Sequence, residues 1–325
     1  MTVIIALGAV ILGFTLLVGG GDLLVRGAEK LAVKLRLTPV VIGLTVVAFG
    51  TSVPELVVSL LAAFEGNPDI AAGNVIGSNI LNIAAVMGGT AIVMPIAINQ
   101  DITRIHWPFM FALSIIFVTM VWDTQLVRTE GVILFALLVT FTGWMIDQTR
   151  RKSKQAQEDI FDHASGEVSP ESESTLKPFV LIFLGIGLLW AGGKFALWGA
   201  VELSRLWGLT ERVIALTVVA FGTSLPELVA SLVAAFRNQE DMAVGNIIGS
   251  NIYNIGCVLG LTSMIKPIGV DPQLVQNDAM MMLGVAFVLF PMGVIFKGLP
   301  RWSGVVYLAS LGGYTTWLLQ PGAFG

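Results

Sequence analysis

A segment of 44 residues occurs twice in the sequence, as residues 45–88 and as residues 217–260, at a constant offset of 172 positions. The two copies are identical at 30 of these 44 positions, without a gap. Weaker similarity extends upstream, where the glycines at 20–21 recur at 192–193. An internal repeat of this kind indicates that the chain folds as two related halves.

Both halves are built from apolar stretches long enough to cross a bilayer. The 325-residue chain is 55% hydrophobic and 12% charged, with a mean hydropathy of +0.84, values typical of membrane proteins. A spanning helix needs about 20 mostly apolar residues. We therefore predict an all-α polytopic membrane protein with ten transmembrane helices, at residues 3–25, 39–64, 70–96, 107–123, 129–147, 178–200, 211–236, 242–266, 278–296 and 302–320.

The repeat unit then contains five spans, which is an odd number. The second copy must enter the membrane from the opposite side, so we predict two inverted five-helix repeats, an arrangement found in many secondary transporters. The first repeat is expected at 1–148 and the second at 178–325. Between them, residues 149–177 are charged and rich in serine, so we expect a disordered linker loop.

The positions of lysine and arginine predict the orientation. If the 149–177 loop is cytoplasmic, most basic residues of the connectors fall on the same side, as the positive-inside rule requires. We expect both termini outside and the protein in the plasma membrane, which is the inner membrane of a bacterium. The residues on the cytoplasmic side would be Lys30, Lys34, Arg36, Arg104, Arg150, Arg151, Lys152, Lys154, Lys177, Arg237, Lys297 and Arg301.

A polar motif interrupts the second span and the seventh span. It reads "GTSVPE" in the first repeat, with Thr51, Ser52 and Glu55, and "GTSLPE" in the second. A carboxylate at the centre of a spanning helix costs about 2.5 to 3.5 kcal/mol to insert, so its presence needs a partner or a function. The equivalent residues of the second copy are Thr223, Ser224 and Glu227.

A proline lies inside each of these motifs. Pro54 removes a backbone donor and Gly50 loosens the same turn, so we expect the carbonyl groups near Val47 and Ala48 to be freed from helical bonding. Such backbone is tolerated in a membrane only where it is buried in protein or lines a cavity. The motif therefore concentrates oxygen atoms.

The following span of each repeat carries a second polar stripe. "GNVIGSNILN" places Asn74, Ser78 and Asn82 at steps of four on one helix face. Its copy, "GNIIGSNIYN", does the same with Asn246, Ser250 and Asn254. Asn79 and Asn251 point away from the stripe, and we expect them to form hydrogen bonds between helices. Glycines leave room for close helix approach or for exposed carbonyls at Gly73, Gly77, Gly245 and Gly249.

The oxygen atoms of both motifs predict a site for a hard cation. Calcium takes 6 to 8 oxygen ligands, and sodium fits the same oxygens, whereas zinc or copper would require imidazole or thiolate groups. Two ionised glutamates balance one calcium ion or two sodium ions, so the two ions can occupy one site alternately. A proton could compete for the same carboxylates, because burial favours their neutral form.

These motifs closely resemble the alpha-repeats of the calcium/cation antiporter superfamily, in particular its prokaryotic sodium/calcium exchanger branch. The resemblance covers both halves and the ten-span layout. It implies alternating access, with the first and sixth spans sliding over the rest, and the following metal-site residues: Ala48, Thr51, Ser52, Glu55, Gly77, Ser78, Asn82, Ala220, Thr223, Ser224, Glu227, Gly249, Ser250 and Asn254. Some relatives carry aspartate in place of Asn82 or Asn254, so this site has two formal charges rather than three.

The leading functional prediction is sodium/calcium exchange, with the ions as cargo and with no cofactor. Calcium/proton exchange is the nearest alternative, and potassium is a further candidate ion. An intramembrane enzyme that uses the two glutamates as acid and base is a prediction of a different class. Without a basic patch, no nucleic-acid partner is expected; the lipid bilayer is the partner.

Five further residues lead to separate expectations. Asp22 and Arg26 should form a local ion pair, since they are four residues apart on one helix. His106 and His163 are expected in or near cytoplasmic connectors, in contact with solvent. The single cysteine, Cys257, is expected to be a small core residue.

Overall fold

The computed structural model describes residues 3–66, 68–161, 176–209, 214, 218 and 220–318. The first half consists of helices, with three turns of π-helix and two short strands, one before and one after the α7 span. Its elements are α1 Val3–Leu35, α2 Pro39–Ile42, π1 Gly43–Val47, α3 Ala48–Thr51, α4 Val53–Glu65, α5 Pro68–Leu81, π2 Asn82–Met87, α6 Gly88–Val93, β1 Ile96–Ala97, π3 Ile102–His106, α7 Trp107–Met120, a 3₁₀ turn Val121–Asp123, β2 Gln125–Leu126 and α8 Arg128–Phe161.

The described part of the second half follows the same order. Its elements are α9 Lys177–Leu206, α10 Ala220–Thr223, α11 Leu225–Phe236, α12 Glu240–Tyr253, π4 Asn254–Leu259, α13 Gly260–Ile265, β3 Ile268–Gly269, π5 Leu274–Asp278, α14 Ala279–Ile295, β4 Gly298–Leu299 and α15 Arg301–Leu318.

Seven described helical segments are long and apolar enough to cross a membrane, and an eighth span is a bent pair. The bent pair joins Pro39–Thr51 to Val53–Glu65 at an angle of 43°. α11 is apolar but short, and seven of the 14 residues that precede it in the predicted span 211–236 lie outside the described part. α15 is an 18-residue helix that is not among the seven. The structure is therefore that of a polytopic helical membrane protein, while the count of ten stays a prediction.

The two halves meet through two short antiparallel strand pairs. β1 pairs with β4, with Ile96 opposite Leu299, and β2 pairs with β3, with Leu126 opposite Ile268. β1 and β2 belong to the first half and β3 and β4 to the second, so each half contributes one strand to each pair. β3 lies 172 residues after β1, which is the repeat offset. The pairs fix the two halves to each other at two separate places.

α1 and α9 are antiparallel and pack along most of their length through glycine. A Cβ atom added at Gly20 would lie 2.7 Å from the backbone nitrogen of Leu189, and one added at Gly27 would lie 2.9 Å from that of Ile182. In a membrane, where the lipid offers no hydrophobic driving force between helices, small residues allow the backbone contact that holds such a pair together. α1 and α9 thus form one tightly packed two-helix unit.

The segment 149–177 is not entirely a loop. α8 continues as a helix to Phe161, so the first part of the predicted linker is helical, because its lysine, arginine and glutamine residues are good helix formers. Residues 162–175, with His163, lie outside the described residues.

The prediction for His106 is wrong. This side chain is 4% exposed and packs edge-on against Phe141, because π3 turns it inward below α7. The predicted core position of Cys257 is confirmed, since this side chain is buried. The ion pair of Asp22 and Arg26 is also confirmed, with 2.9 Å between Arg26 Nε and Asp22 Oδ2.

Candidate cation-binding site

Each predicted glutamate lies just after a break between two helices. Ser52 separates α3 from α4 with φ −84° and ψ 0°, and Ser224 separates α10 from α11 with φ −88° and ψ 6°. The proline that follows each serine occupies the first turn of the next helix, where its missing N–H is not needed. Glu55 and Glu227 are therefore held in the first turn of α4 and of α11.

The two halves exchange partners around these breaks. α3 packs against α12, and α10 packs against α5. π4, which begins at Asn254, packs against α4, and π2, which begins at Asn82, packs against α11. The glutamate-bearing helix of each half therefore faces the asparagine-bearing helix of the other half.

Thr51 makes direct side-chain contacts across the two halves. Its Oγ1 atom lies 3.2 Å from Asn246 Oδ1 and 3.3 Å from Ser250 Oγ. It also lies 3.3 Å from the carbonyl oxygen of Ala48 on its own helix. Residues predicted from separate copies of the repeat thus meet at one point in the protein interior.

A hydrogen bond that sequence reasoning missed fixes each glutamate-bearing helix. Asn74 Nδ2 donates to Ser59 Oγ at 3.1 Å, and Asn246 Nδ2 donates to Ser231 Oγ at 2.9 Å. The same amides lie 3.4 Å from the carbonyl oxygens of Glu55 and Glu227. The signal was present in the sequence, because a serine stands four residues after the glutamate in both "ELVVSL" and "ELVASL". These bonds hold the backbone of each glutamate against the polar stripe.

The carboxylates themselves have no such partners. Both side-chain oxygens of Glu55 and of Glu227 are buried and have no hydrogen-bond partner within 3.5 Å among the described residues. The same is true of the hydroxyl groups of Ser52 and Ser224 and of polar atoms in the side chains of Asn82 and Asn254. The Thr51 hydroxyl is the neighbour that interacts with the Glu227 carboxylate. Buried polar atoms are nearly always hydrogen-bonded, so a group of unpartnered ones needs a physical explanation. A bound cation would satisfy all of these oxygen atoms together.

The prediction of free carbonyl groups near Val47 and Ala48 is wrong for Ala48. The Ala48 carbonyl oxygen accepts a hydrogen bond from the Ser52 backbone nitrogen at 3.0 Å, because the helix continues up to the break at Ser52. The break is thus one turn later than expected, and Pro54 withholds its N–H from the carbonyl of Gly50 instead. The role of the Ala48 and Ala220 carbonyls as ion ligands stays a prediction.

The glycines in the polar stripe of the second repeat lie at a close contact between helices. A Cβ atom added at Gly249 would lie 2.6 Å from Ala48 Cβ, and one at Gly245 would lie 2.5 Å from the carbonyl oxygen of Val40. In the first repeat, no described atom lies within 4 Å of a Cβ added at Gly77. Glycine at these two positions allows α12 to approach α2 and α3 this closely.

The two asparagines outside the stripe behave differently from each other. Asn79 forms the predicted hydrogen bonds between helices, since its Nδ2 lies 3.4 Å from the carbonyl oxygen of Asn251 and its Oδ1 accepts from Asn254 Nδ2 at 3.0 Å. The Asn251 side chain instead donates to Ile247 on its own helix. Asn79 therefore orients Asn254, one of the predicted ligands. The Oδ1 atom of Asn254 has no hydrogen-bond partner among the described residues.

The donor set suits a hard cation. Among the described residues, no group of three or more histidine, cysteine, aspartate or glutamate side chains is arranged to hold a metal ion. The candidate site instead combines two carboxylates with hydroxyl and amide oxygens, a mixture that calcium and sodium accept and that zinc and copper do not prefer.

A substitution at Thr51 tests the contact between the halves. We expect Thr51→Ala to lower the apparent affinity for calcium about 10-fold, because it removes the only side-chain oxygen of this residue and leaves buried partners unbonded. Thr51→Ser keeps the hydroxyl group and should retain most of the affinity. Calcium titration of purified protein measures both. Equal affinity for Thr51→Ala and the unmodified protein would exclude Thr51 from the site.

Fold and site together define an integral membrane protein with buried glutamates at broken helices. The profile of the family described as "Sodium/calcium exchanger protein" matches residues 5–146 and 177–320. The chain is 32% identical over 271 residues to the inner membrane protein YrbG of Escherichia coli strain K12, covering 83% of this chain and 82% of YrbG. It is 28% identical over 289 residues to the sodium/calcium exchanger MaX1 of Methanosarcina acetivorans, covering 80% of this chain and 83% of MaX1.

A solved structure of the sodium-calcium exchanger NCX_Mj, soaked with Na⁺ and Sr²⁺, matches with a TM-score of 0.80 at 30% identity, covering 98% of this chain and 99% of that one. The chain belongs to the sodium/calcium exchanger protein family. It is a cation antiporter of the calcium/cation superfamily, as the motifs indicated. The family, MaX1 and NCX_Mj are exchangers, which favours an antiporter over an intramembrane enzyme.

Proposed function

We propose that the protein exchanges sodium for calcium by alternating access to one site between its two halves. The observation that carries this proposal is the set of unpartnered oxygens on Glu55, Glu227, Ser52 and Ser224, buried where the helices of both halves meet. Unpaired carboxylates are costly inside a membrane protein unless a cation accompanies them. A site that must always hold positive charge is well suited to exchange, because one ion leaves as the other enters.

The charge of the site supports a shared site for both ions. Asn82 and Asn254 are neutral, so Glu55 and Glu227 carry the only formal charges among the predicted ligands. One calcium ion or two sodium ions would neutralise them. The metal-site residues that the resemblance implies, including Ser78, Ser250 and Thr223, complete the proposed ligand set.

The proposed architecture is ten spans in two inverted repeats, at 1–148 and 178–325, joined by a cytoplasmic linker at 149–177. Both termini would face outward. The exchange of strands between β1–β4 and β2–β3 supports a two-fold relation between the halves. So does the recurrence of the asparagine–serine hydrogen bond in both halves.

The function is tested by calcium uptake into proteoliposomes that contain the purified protein. Vesicles preloaded with sodium should take up calcium, while vesicles preloaded with potassium, or given only a pH gradient, should not. The energy for uptake is the outward sodium gradient, so collapse of that gradient with a sodium ionophore should stop it.

Other results of the same assay identify other cargoes. Uptake driven by the pH gradient alone would replace this proposal with calcium/proton exchange, in which the same carboxylates carry protons. Uptake that needs sodium and potassium together would add potassium as a co-transported ion. Calcium flux without any counter-ion would contradict antiport.

A further inference from the structure

Two pairs of charged residues occupy equivalent positions in the two halves with opposite polarity. Asp22 of α1 and Lys194 of α9 are separated by the repeat offset of 172, and so are Glu65 and Arg237. Glu65 ends α4, and Arg237 directly follows α11. The first half thus has an acid at both positions and the second half a base at both, so each contact between a first helix of one half and the glutamate-bearing helix of the other half can join an acid to a base.

The pair that contains Arg237 is closed in this structure. Arg237 Nη1 lies 3.1 Å from Asp22 Oδ1. On the next turns of α1, Glu29 accepts two bonds from the same guanidinium group, at 3.2 Å from Nη2 and 3.3 Å from Nε. A guanidinium group that bonds two carboxylates in this way joins α1 firmly to the end of α11.

The equivalent pair, Lys194 and Glu65, is open. The Lys194 ammonium group lies 3.9 Å from the ring centroid of Trp190 on its own helix. Neither Lys194 nor Glu65 forms an ion pair within the described part of the chain, and the Glu65 side chain is exposed.

The packing of the helices shows the same difference as the ion pairs: α1 lies against α11, whereas α9 and α4 are apart. α1 packs against α11, with Gly21 facing Val229 and Val233; a Cβ added at Gly21 would lie 3.3 Å from Val233 Cγ2. α9 and α4, both fully described, lack the corresponding packing. Gly193, the equivalent of Gly21, instead lies beside Pro226 of α11. Related sequences have therefore adopted two different arrangements within one molecule.

Because α1 and α9 are joined through their glycines, a shift of one must carry the other. A shift that separates α1 from the end of α11 would then bring α9 towards the end of α4. We propose that the two ion pairs are alternating latches: Arg237 with Asp22 and Glu29 closes one face of the membrane in this conformation, and Lys194 with Glu65 closes the opposite face in the other. This inference rests on the proposed alternating access.

The position of each latch connects it to the ion site. Arg237 follows the helix whose first turn carries Glu227, and Glu65 ends the helix whose first turn carries Glu55. The opposite polarity also prevents exchange of partners, because Arg237 cannot pair with Lys194, nor Asp22 with Glu65. Each conformation gains one closed pair and loses the other. The present conformation also has the second carboxylate of Glu29, whose equivalent position in the second half is Val201.

Sided transport measurements test the latches. Arg237→Gln should shift the protein away from the present conformation, raising the calcium concentration for half-maximal transport on the outer face about 3- to 10-fold and lowering it on the cytoplasmic face. Glu65→Gln should produce the opposite shift. Arg151→Gln is the matched control, because Arg151 pairs with Asp147 within α8 and contacts neither latch.

Charge reversal separates a latch from a structural role. Glu65→Lys places two lysines opposite each other and should slow transport, and adding Lys194→Glu should restore it. Equal effects of Arg237→Gln and Arg151→Gln, shifts of Arg237→Gln and Glu65→Gln in the same direction, or no rescue by Lys194→Glu would each overturn the proposal.

A distance measurement tests the latches without transport. Spin labels at Phe64→Cys and Trp198→Cys, in a Cys257→Ser background, report the separation of α4 and α9, since both sites are exposed. Adding Arg237→Gln should increase the population with a short distance, and an unchanged distribution would overturn the latches. A normal response of the labels in a protein without sodium-driven calcium uptake would count against the proposed exchange only.

Discussion

Replacing Glu55 or Glu227 with glutamine should abolish sodium-driven calcium uptake while the protein still inserts and folds. Each substitution keeps the shape of a buried side chain but removes half of the negative charge of the site. Removing one partner of a buried charge pair typically costs 3–5 kcal/mol, so we expect calcium binding to weaken by about 100-fold or more. Calcium titration and uptake by reconstituted vesicles measure the two effects separately.

Glu202→Gln provides the control for these variants. Glu202 pairs with Arg205 on α9, with 2.9 Å between Glu202 Oε1 and Arg205 Nη1, away from the predicted site. Surface pairs of this kind contribute little, so uptake should stay close to that of the unmodified protein. Retained calcium uptake in both Glu55→Gln and Glu227→Gln would contradict the site assignment.

Gly20→Leu should separate α1 from α9 and stop transport. A Cβ atom at this position would lie 2.7 Å from the Leu189 nitrogen and 2.8 Å from the Gly185 carbonyl oxygen, and these backbone atoms cannot move aside. We expect the apparent melting temperature in detergent to fall by about 5 °C or more, as overpacking of a tight interface implies. Uptake should fall with it, since the two helices would no longer move together.

The neighbouring glycine supplies a matched control. No described atom lies within 4 Å of a Cβ added at Gly19, which faces away from α9. Gly19→Leu should therefore leave both the melting temperature and uptake nearly unchanged. If Gly20→Leu were equally harmless, the α1–α9 contact could not be the rigid unit that the latches require.

The chemistry of the candidate site could be inferred from the sequence because it depends on residue types and short spacings. Two glutamates in apolar spans, each beside hydroxyl groups and a proline, require a cation or another partner wherever they lie. The repeat also indicated that two such motifs belong to one site. The structure brings Thr51 of the first repeat's motif against Asn246 and Ser250, which belong to the polar stripe of the second repeat.

Details that depend on the path of the backbone could not be inferred in this way. The break falls at Ser52 rather than near Val47, because the Ser52 N–H still bonds to the Ala48 carbonyl and the N–H that Pro54 lacks would have bonded to the Gly50 carbonyl. The burial of His106 also depends on the path of the backbone, since π3 lies directly before α7 and this side chain packs against Phe141 of α8. A local sequence pattern does not specify where a helix widens, because packing against neighbouring helices decides it.

The amino-acid sequence alone determined the membrane class, the duplicated organisation and the oxygen-rich character of the site, since all three follow from composition, length and periodicity. Only the tertiary structure decided which of two equivalent arrangements the chain adopts. Two nearly identical motifs are compatible with α1 against α11 or with α9 against α4, and the sequence does not favour either. Packing selects the first, with Arg237 bonded to Asp22 and Glu29, because the Gly21 face of α1 fits against Val229 and Val233 of α11.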